Sequence, residues 1–183
     1  MILTNEQLKD TFLNLLKESA DYQMLTLPEA VALYLSNLLL KIAGPNYITT
    51  FDPSQKLADI YMNAIEDRSG LVRAVRYKRI GDTSLIKLGF FPESIKRETV
   101  SKNYYRDMGV VAYEQVYITK KDPVYMRLYE SYDNCIEALY GVKMLGQQDD
   151  MLALYSFWQD TKSMFAKKKL FKLGLMVDKQ CQD

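Results

Sequence analysis

Six apolar and aromatic residues, Tyr125, Leu128, Tyr129, Tyr132, Ile136 and Leu139, fall at i, i+3, i+4, i+7, i+11 and i+14, with Glu130, Asp133 and Glu137 on the other side. That spacing makes one apolar stripe on an amphipathic helix. Val31, Tyr34, Leu35, Leu38 and Ile42 make a second stripe, which Leu33, Leu39 and Leu40 widen, and Met151, Leu154, Tyr155, Trp158 and Phe165 make a third. No sustained alternation of period two and no Asn-Gly or Asp-Gly hairpin turn competes with this pattern. Helix starts and stops punctuate it. Thr4 with Gln7 forms a capping box, and Thr26-Leu27-Pro28-Glu29 repeats the device. Gly44-Pro45 should close that second helix through a left-handed glycine. Asp52-Pro53 opens another helix, Ser69 caps the next, Asp122-Pro123 opens one that Gly146 closes, and Asp149 caps the last, which stops at Gly174. The prediction is an all-α fold, a single compact bundle of roughly seven or eight helices.

The chain has 183 residues, within the ~50–250 of an ordinary domain. With no Pro/Gly/Ser-rich linker and no internal repeat, residues 1–183 are expected to form one helical domain. No basic leader or apolar h-region precedes the first cap, so no secretory signal is expected. The most apolar run, Ala30 to Leu40, is shorter than the ~20 residues of a membrane span, and integral membrane association is not expected. Two loosely placed cysteines, Cys135 and Cys181, beside nine methionines fit a reducing cytoplasm.

Histidine is absent. Ser-His-Asp and Cys-His nucleophiles, His-ligated metals and a histidine proton switch are thereby excluded. Bundle di-iron sites fail for the same reason. Phosphate loops of the GxxxxGK[ST] or GxGxxG kind are missing. Asp149-Asp150 and Glu66-Asp67 read as helix-end acids, and no Asp-x-Asp-x-Asp-Gly calcium loop appears. Cys135 lies against an apolar face without a base. No catalytic residue, metal or cofactor is therefore assigned. An enzyme built on Tyr, Lys or carboxylate groups stays conceivable, but no residue selects it.

The formal charge of +1 is unevenly spread. Residues 68–106 hold 10 basic and 3 acidic side chains, whereas residues 1–67 hold 4 basic and 9 acidic. Such alternation permits a basic face, or basic and acidic helices that neutralise each other. Arg73 and Arg76 are three apart and share a face, Arg79 continues it, and Asp82 lies three beyond. One reading pairs Asp82 with Lys78 or Arg79 inside the chain. The other makes Arg73, Arg76 and Arg79 a guanidinium cluster for a phosphate or carboxylate. Pro92 should turn the chain at Phe91 and plant Phe90 and Phe91 in the core. A ligand pocket of Phe90, Phe91, Tyr104 and Tyr105 is the alternative. Gly89 and Gly109 within helical patterns suggest close approach of neighbouring elements. Most of the 14 tyrosines suit core or boundary positions, though they could also stack on nucleic acid. Lys162, Lys167, Lys168, Lys169 and Lys172 make a cationic C-terminal helix, suited either to an anionic surface or to its own dipole.

The order Gly81-Asp82, Gly89-Phe90-Phe91-Pro92-Glu93, Tyr104-Tyr105, Met108-Gly109 and Ala112-Tyr113 resembles a family of uncharacterised bacterial helical proteins. The resemblance covers about a third of the chain. It implies a bacterial cytosolic protein and supplies no catalytic residue. Taken together, the residues point first to a non-enzymatic interaction, regulatory or adaptor domain with a protein partner or a second copy of itself. The alternative is a binding module for an anionic small molecule or nucleic acid through residues 68–106, with Arg73, Arg76, Arg79, Tyr104 and Tyr105 as contacts.

Overall fold

The computed structural model describes residues 4–44, 56–95, 99–146, 155, 158–159 and 164–172. Nine helices are present among these residues and no strand. In chain order they are α1 (Asn5–Gln23), α2 (Glu29–Ala43), α3 (Leu57–Glu66), α4 (Gly70–Gly89), α5 (Pro92–Ile95), α6 (Lys102–Lys120), α7 (Pro123–Glu130), α8 (Tyr132–Gly146) and α9 (Met164–Lys172). The fold is an all-α bundle. The expected starts at Asp52-Pro53 and Asp149 and the stop at Gly174 lie outside the described residues.

The caps explain most boundaries. Thr4 Oγ1 accepts from the Gln7 N–H at 3.3 Å, and Gln7 Oε1 accepts from the Thr4 N–H at 2.9 Å. Asp122 Oδ1 accepts from the Val124 N–H at 3.0 Å, with Pro123 in the first turn of α7. Two details differ from expectation. Thr26 does not cap α2; Pro28 is the flanking residue, with φ −57° and ψ 142°. A residue before proline avoids helical geometry, so Leu27 cannot join the helix and the start moves past Pro28. The Thr26 carbonyl accepts from Asn134 Nδ2 instead, at 3.2 Å. Gly44 does close α2, but in extended geometry (φ −79°, ψ 162°) rather than left-handed. Pro45 follows, and the same steric rule accounts for it.

The stripe from Tyr125 to Leu139 is not one helix. It breaks at Ser131, where φ is −106° and ψ 26°. The Ser131 hydroxyl donates to the Arg127 carbonyl at 2.5 Å, a back-bond that bends helices. The stripe still faces the core on both sides of the bend: Tyr125, Leu128, Tyr132 and Leu139 are buried.

α4 and α6 are the central antiparallel pair, since Gly70 neighbours Thr119 while Ser84 neighbours Gly109. α3 packs on α4, α7 folds back on α6, and α8 lies against both α4 and α1. α1 also packs on α2 and α9. The approach at the two predicted glycines is close. A Cβ on Gly89 would sit 2.7 Å from Leu139 Cβ, and one on Gly109 would sit 2.4 Å from Tyr132 Cζ. Phe90 and Phe91 pack edge to face, centroids 5.1 Å apart, at the half-buried margin of the core rather than within it. A smaller apolar cluster of Tyr140, Met144, Ala166 and Leu170 seats α9, and Tyr155 and Trp158 pack against it. Lys169 Nζ donates to the Met144 carbonyl at 2.8 Å, so one lysine of the cationic helix serves the end of α8.

Candidate functional site

The basic segment begins on α4, and helical phase decides where each residue goes. At 3.6 residues per turn, each step of three falls back by about 60°. Arg73 and Asp82, nine apart, therefore lie about 180° apart, not on one continuing face. Asp82 instead continues the stripe of Leu71, Val75 and Lys78, since eleven residues make about three turns. That stripe has two different fates along its length.

Its inner end is a buried polar cluster. Asp82 is 7% exposed. Its Oδ1 accepts from the hydroxyls of Tyr34, at 2.5 Å, and Tyr113, at 2.9 Å, and its Oδ2 pairs with Lys78 Nζ. Lys78 also lies over the Tyr34 ring, 5.0 Å from its centroid. Of the two partners foreseen for Asp82, Lys78 is the one engaged. Gly81 makes room for the Tyr113 ring, whose nearest atom would lie 2.7 Å from a Cβ there. Burial first, and the Asp82 carboxylate second, raise the Tyr34 and Tyr113 phenols well above their usual value. Burial likewise raises Tyr132 strongly, and burial with Asp82 and Asp122 pushes Tyr125 up to about 12.

These shifts carry a pH prediction. Above the usual phenol value of 10.0, an unfolded chain releases phenolic protons that the folded state retains at Tyr34, Tyr113, Tyr125 and Tyr132. The unfolded state then binds fewer protons, so stability is full below that value and falls as pH rises toward the folded values. Phenolate absorbance should show an early class of tyrosines and a late class that ionises only as the helix signal is lost. A single class ionising before unfolding would contradict the buried cluster.

The outer end of the stripe faces solvent. Leu71 is 70% exposed and Val75 60%, and Val72 beside them is exposed as well. The basic residues divide into two groups. Arg76 pairs with Asp67 at the end of α3, and Arg106 grips Asp133 with two bonds of 2.7 and 2.6 Å. Lys87 Nζ donates to the Tyr105 hydroxyl at 3.1 Å. By contrast, Arg68, Arg73 and Arg79 have no ion pair among the described residues. Arg73 and Arg79 are half-buried and Arg68 is exposed.

Tyr104 and Tyr105 lie at the start of α6, with centroids 5.7 Å apart. Tyr105 is core, 4% exposed, and Tyr104 packs half-buried against the core. They stand on a different helix from the three arginines. Phe90, Phe91, Tyr104 and Met108 are half-buried and Glu93 is exposed, whereas Gly81, Asp82, Gly89, Tyr105, Gly109, Ala112 and Tyr113 are all buried along α4 and α6. Their geometry is that of a structural seam. Burial, slightly opposed by the Ser131 hydroxyl, pushes the Cys135 thiol up to about 12, which suits core packing rather than nucleophilic chemistry. Among the described residues no group of three or more Asp, Glu, Cys or His converges on a metal position, and no helix is long and apolar enough to cross a membrane.

The exposed Leu71, Val72 and Val75 were missed by sequence reading, and helical phase does not reveal them. Asp82, Ile86 and Gly89 lie on the same side of α4 as Leu71 and Val75 and are buried. No protein-family model, no curated protein and no solved structure matches the chain.

Proposed function

We propose that the protein is a non-enzymatic helical interaction module, an adaptor or regulatory domain, and that it docks a protein partner through the N-terminal half of α4. One observation carries this reading. The helix that supplies the centre of the core also presents Leu71, Val72 and Val75 to solvent, with Arg68 just before them and Arg79 one turn beyond Val75, both without ion-pair partners among the described residues. An apolar anchor framed by guanidiniums suits a partner surface that is apolar at its centre and acidic at its margin.

The double variant Leu71→Asp/Val75→Asp tests it. Both side chains are exposed, so the melting temperature should stay within about 2 °C of the wild type, as expected for surface changes of about 0.5 kcal/mol or less. In extracts of the cells that make it, the wild type should elute well above monomer mass and the variant at monomer mass. Equal elution of the two would reject the docking face. A second reading is an anion site, since Arg73 and Arg79 hold no internal ion pair. Such a site would survive Leu71→Asp/Val75→Asp and fail in Arg73→Ala/Arg79→Ala.

A further inference from the structure

The α4 face does not end at Val75. At 3.6 residues per turn, Lys78 lies between the Leu71–Val75 stripe and Gly81, which faces Tyr113 of α6. Lys78 Nζ stands 5.0 Å from the centroid of the Tyr34 ring. Tyr34 meets Tyr125 edge to face, with centroids 5.9 Å apart. Lys120 Nζ, from the last turn of α6, stands 6.0 Å from the centroid of Tyr125. The end of α6 also meets the start of α4 directly: a Cβ on Gly70, the residue before Leu71, would lie 3.9 Å from Thr119 Cγ2. A path of neighbours therefore runs from Leu71 and Val75 across Lys78 and Tyr34 to Lys120.

The two lysines on this path stand in different surroundings. Lys78 is matched by the Asp82 carboxylate. Lys120 is exposed and has no ion pair among the described residues. Asp122, the acid nearest to it along the chain, accepts from the Val124 N–H at the start of α7. An ammonium over a tyrosine face still has N–H donors for a further acceptor. We infer that the protein partner of the α4 face sets an aspartate or glutamate against Lys120, so that this lysine and the Leu71–Val75 anchor read one segment of that partner. This rests on the docking role of α4 proposed above, and it adds a contact on a second helix. An apolar anchor beside an exposed cation matches a protein interface with a charged rim. A formal net charge of +1 lacks the cation excess that a nucleic-acid backbone calls for. The contact should weaken with salt, as rim charges do.

Lys121 supplies the control. It too is exposed and has no ion pair among the described residues, but it lies 5.7 Å from the centroid of Tyr117, whose ring neighbours Tyr129. The test is photo-cross-linking in the producing cells from a photoreactive amino acid at Val75, in the otherwise wild-type chain, in Lys120→Glu and in Lys121→Glu. Both substitutions change the net charge equally and fall on exposed side chains, so both chains should melt within about 2 °C of the wild type. Lys120→Glu should lower the yield of the protein adduct about tenfold, and Lys121→Glu less than about twofold. Should Lys120→Glu melt early, Lys120→Gln takes its place, with a loss of about threefold. Equal losses in the two variants, or no loss in either, overturn the inference and leave the α4 docking role standing. An adduct that nuclease removes also overturns it, because the occupant would be nucleic acid. Absence of any adduct from position 75 in the otherwise wild-type chain overturns the docking role and this inference together.

Discussion

Asp82→Ala should lower the melting temperature by about 6–12 °C. The carboxylate is the shared acceptor for Tyr34 and Tyr113 and the ion partner of Lys78. Removing it leaves a lysine and two phenols on α2, α4 and α6 without the carboxylate they share. Breaking a buried pair costs about 3–5 kcal/mol, and Lys78, which keeps about a quarter of its side chain exposed, places the cost near the lower figure. For a chain of this length, about 3 kcal/mol corresponds to roughly 6–12 °C at about 2–4 °C per kcal/mol. Lys78→Met should cost less, because Asp82 keeps both tyrosine donors. Combining Asp82→Ala with Tyr34→Phe and Tyr113→Phe should recover part of the loss, since apolar replacement of both partners avoids unpaired groups. Thermal melts of the set, read as a mutant cycle, check this; additive effects would show that the three groups do not act together.

Gly109→Ala should also destabilise, against the usual trend. Alanine in a helix interior ordinarily gains about 1 kcal/mol over glycine. Here the new Cβ would lie 1.8 Å from the Tyr132 hydroxyl, 2.4 Å from its Cζ and 3.0 Å from Ser84 Cβ. Tyr132 is 1% exposed and packs against Tyr113 with centroids 6.0 Å apart, so its ring cannot swing aside freely. Overpacking costs about 1–3 kcal/mol, and with three contacts below van der Waals distance the upper part of that range should win over the propensity gain. Tyr132→Phe alone should change the melting temperature little, because among the described residues no hydrogen bond of normal geometry holds its buried hydroxyl, which neighbours that of Ser84. In the Tyr132→Phe background the Gly109→Ala penalty should shrink, as the nearest clashing atom is gone. An increase in melting temperature for Gly109→Ala would contradict the packing of α6 on α4.

The all-α class was legible in the chain because apolar spacing and helix caps record it locally. Thr4 with Gln7 and Asp122 with Pro123 cap as their sequences suggest. The capping signal failed at Thr26, where Pro28 disfavours helical geometry at Leu27 before it, and proline geometry likewise replaced the left-handed glycine at Gly44. The bend at Ser131 was hidden because the apolar stripe runs through it unchanged. The polar cluster was only half legible. Lys78 and Asp82 are neighbours along one helix, but Tyr34 lies 48 residues away and reaches Asp82 only through the crossing of α2. Arg73, Arg76 and Arg79 could be picked out as basic, but their fates depend on tertiary neighbours: Asp67 engages Arg76 and leaves the other two without an ion pair among the described residues. Exposure of Leu71 and Val75 depends on where the neighbouring helices end, which no local window of sequence contains.

The most direct measurement for the docking role is photo-cross-linking in the producing cells, with a photoreactive amino acid at Val75 and a control at exposed Glu130 on α7. Docking through α4 requires a discrete cross-linked species from position 75, absent from position 130 and lost when Leu71→Asp is added. Equal cross-linking from both positions, or none from position 75, would contradict it.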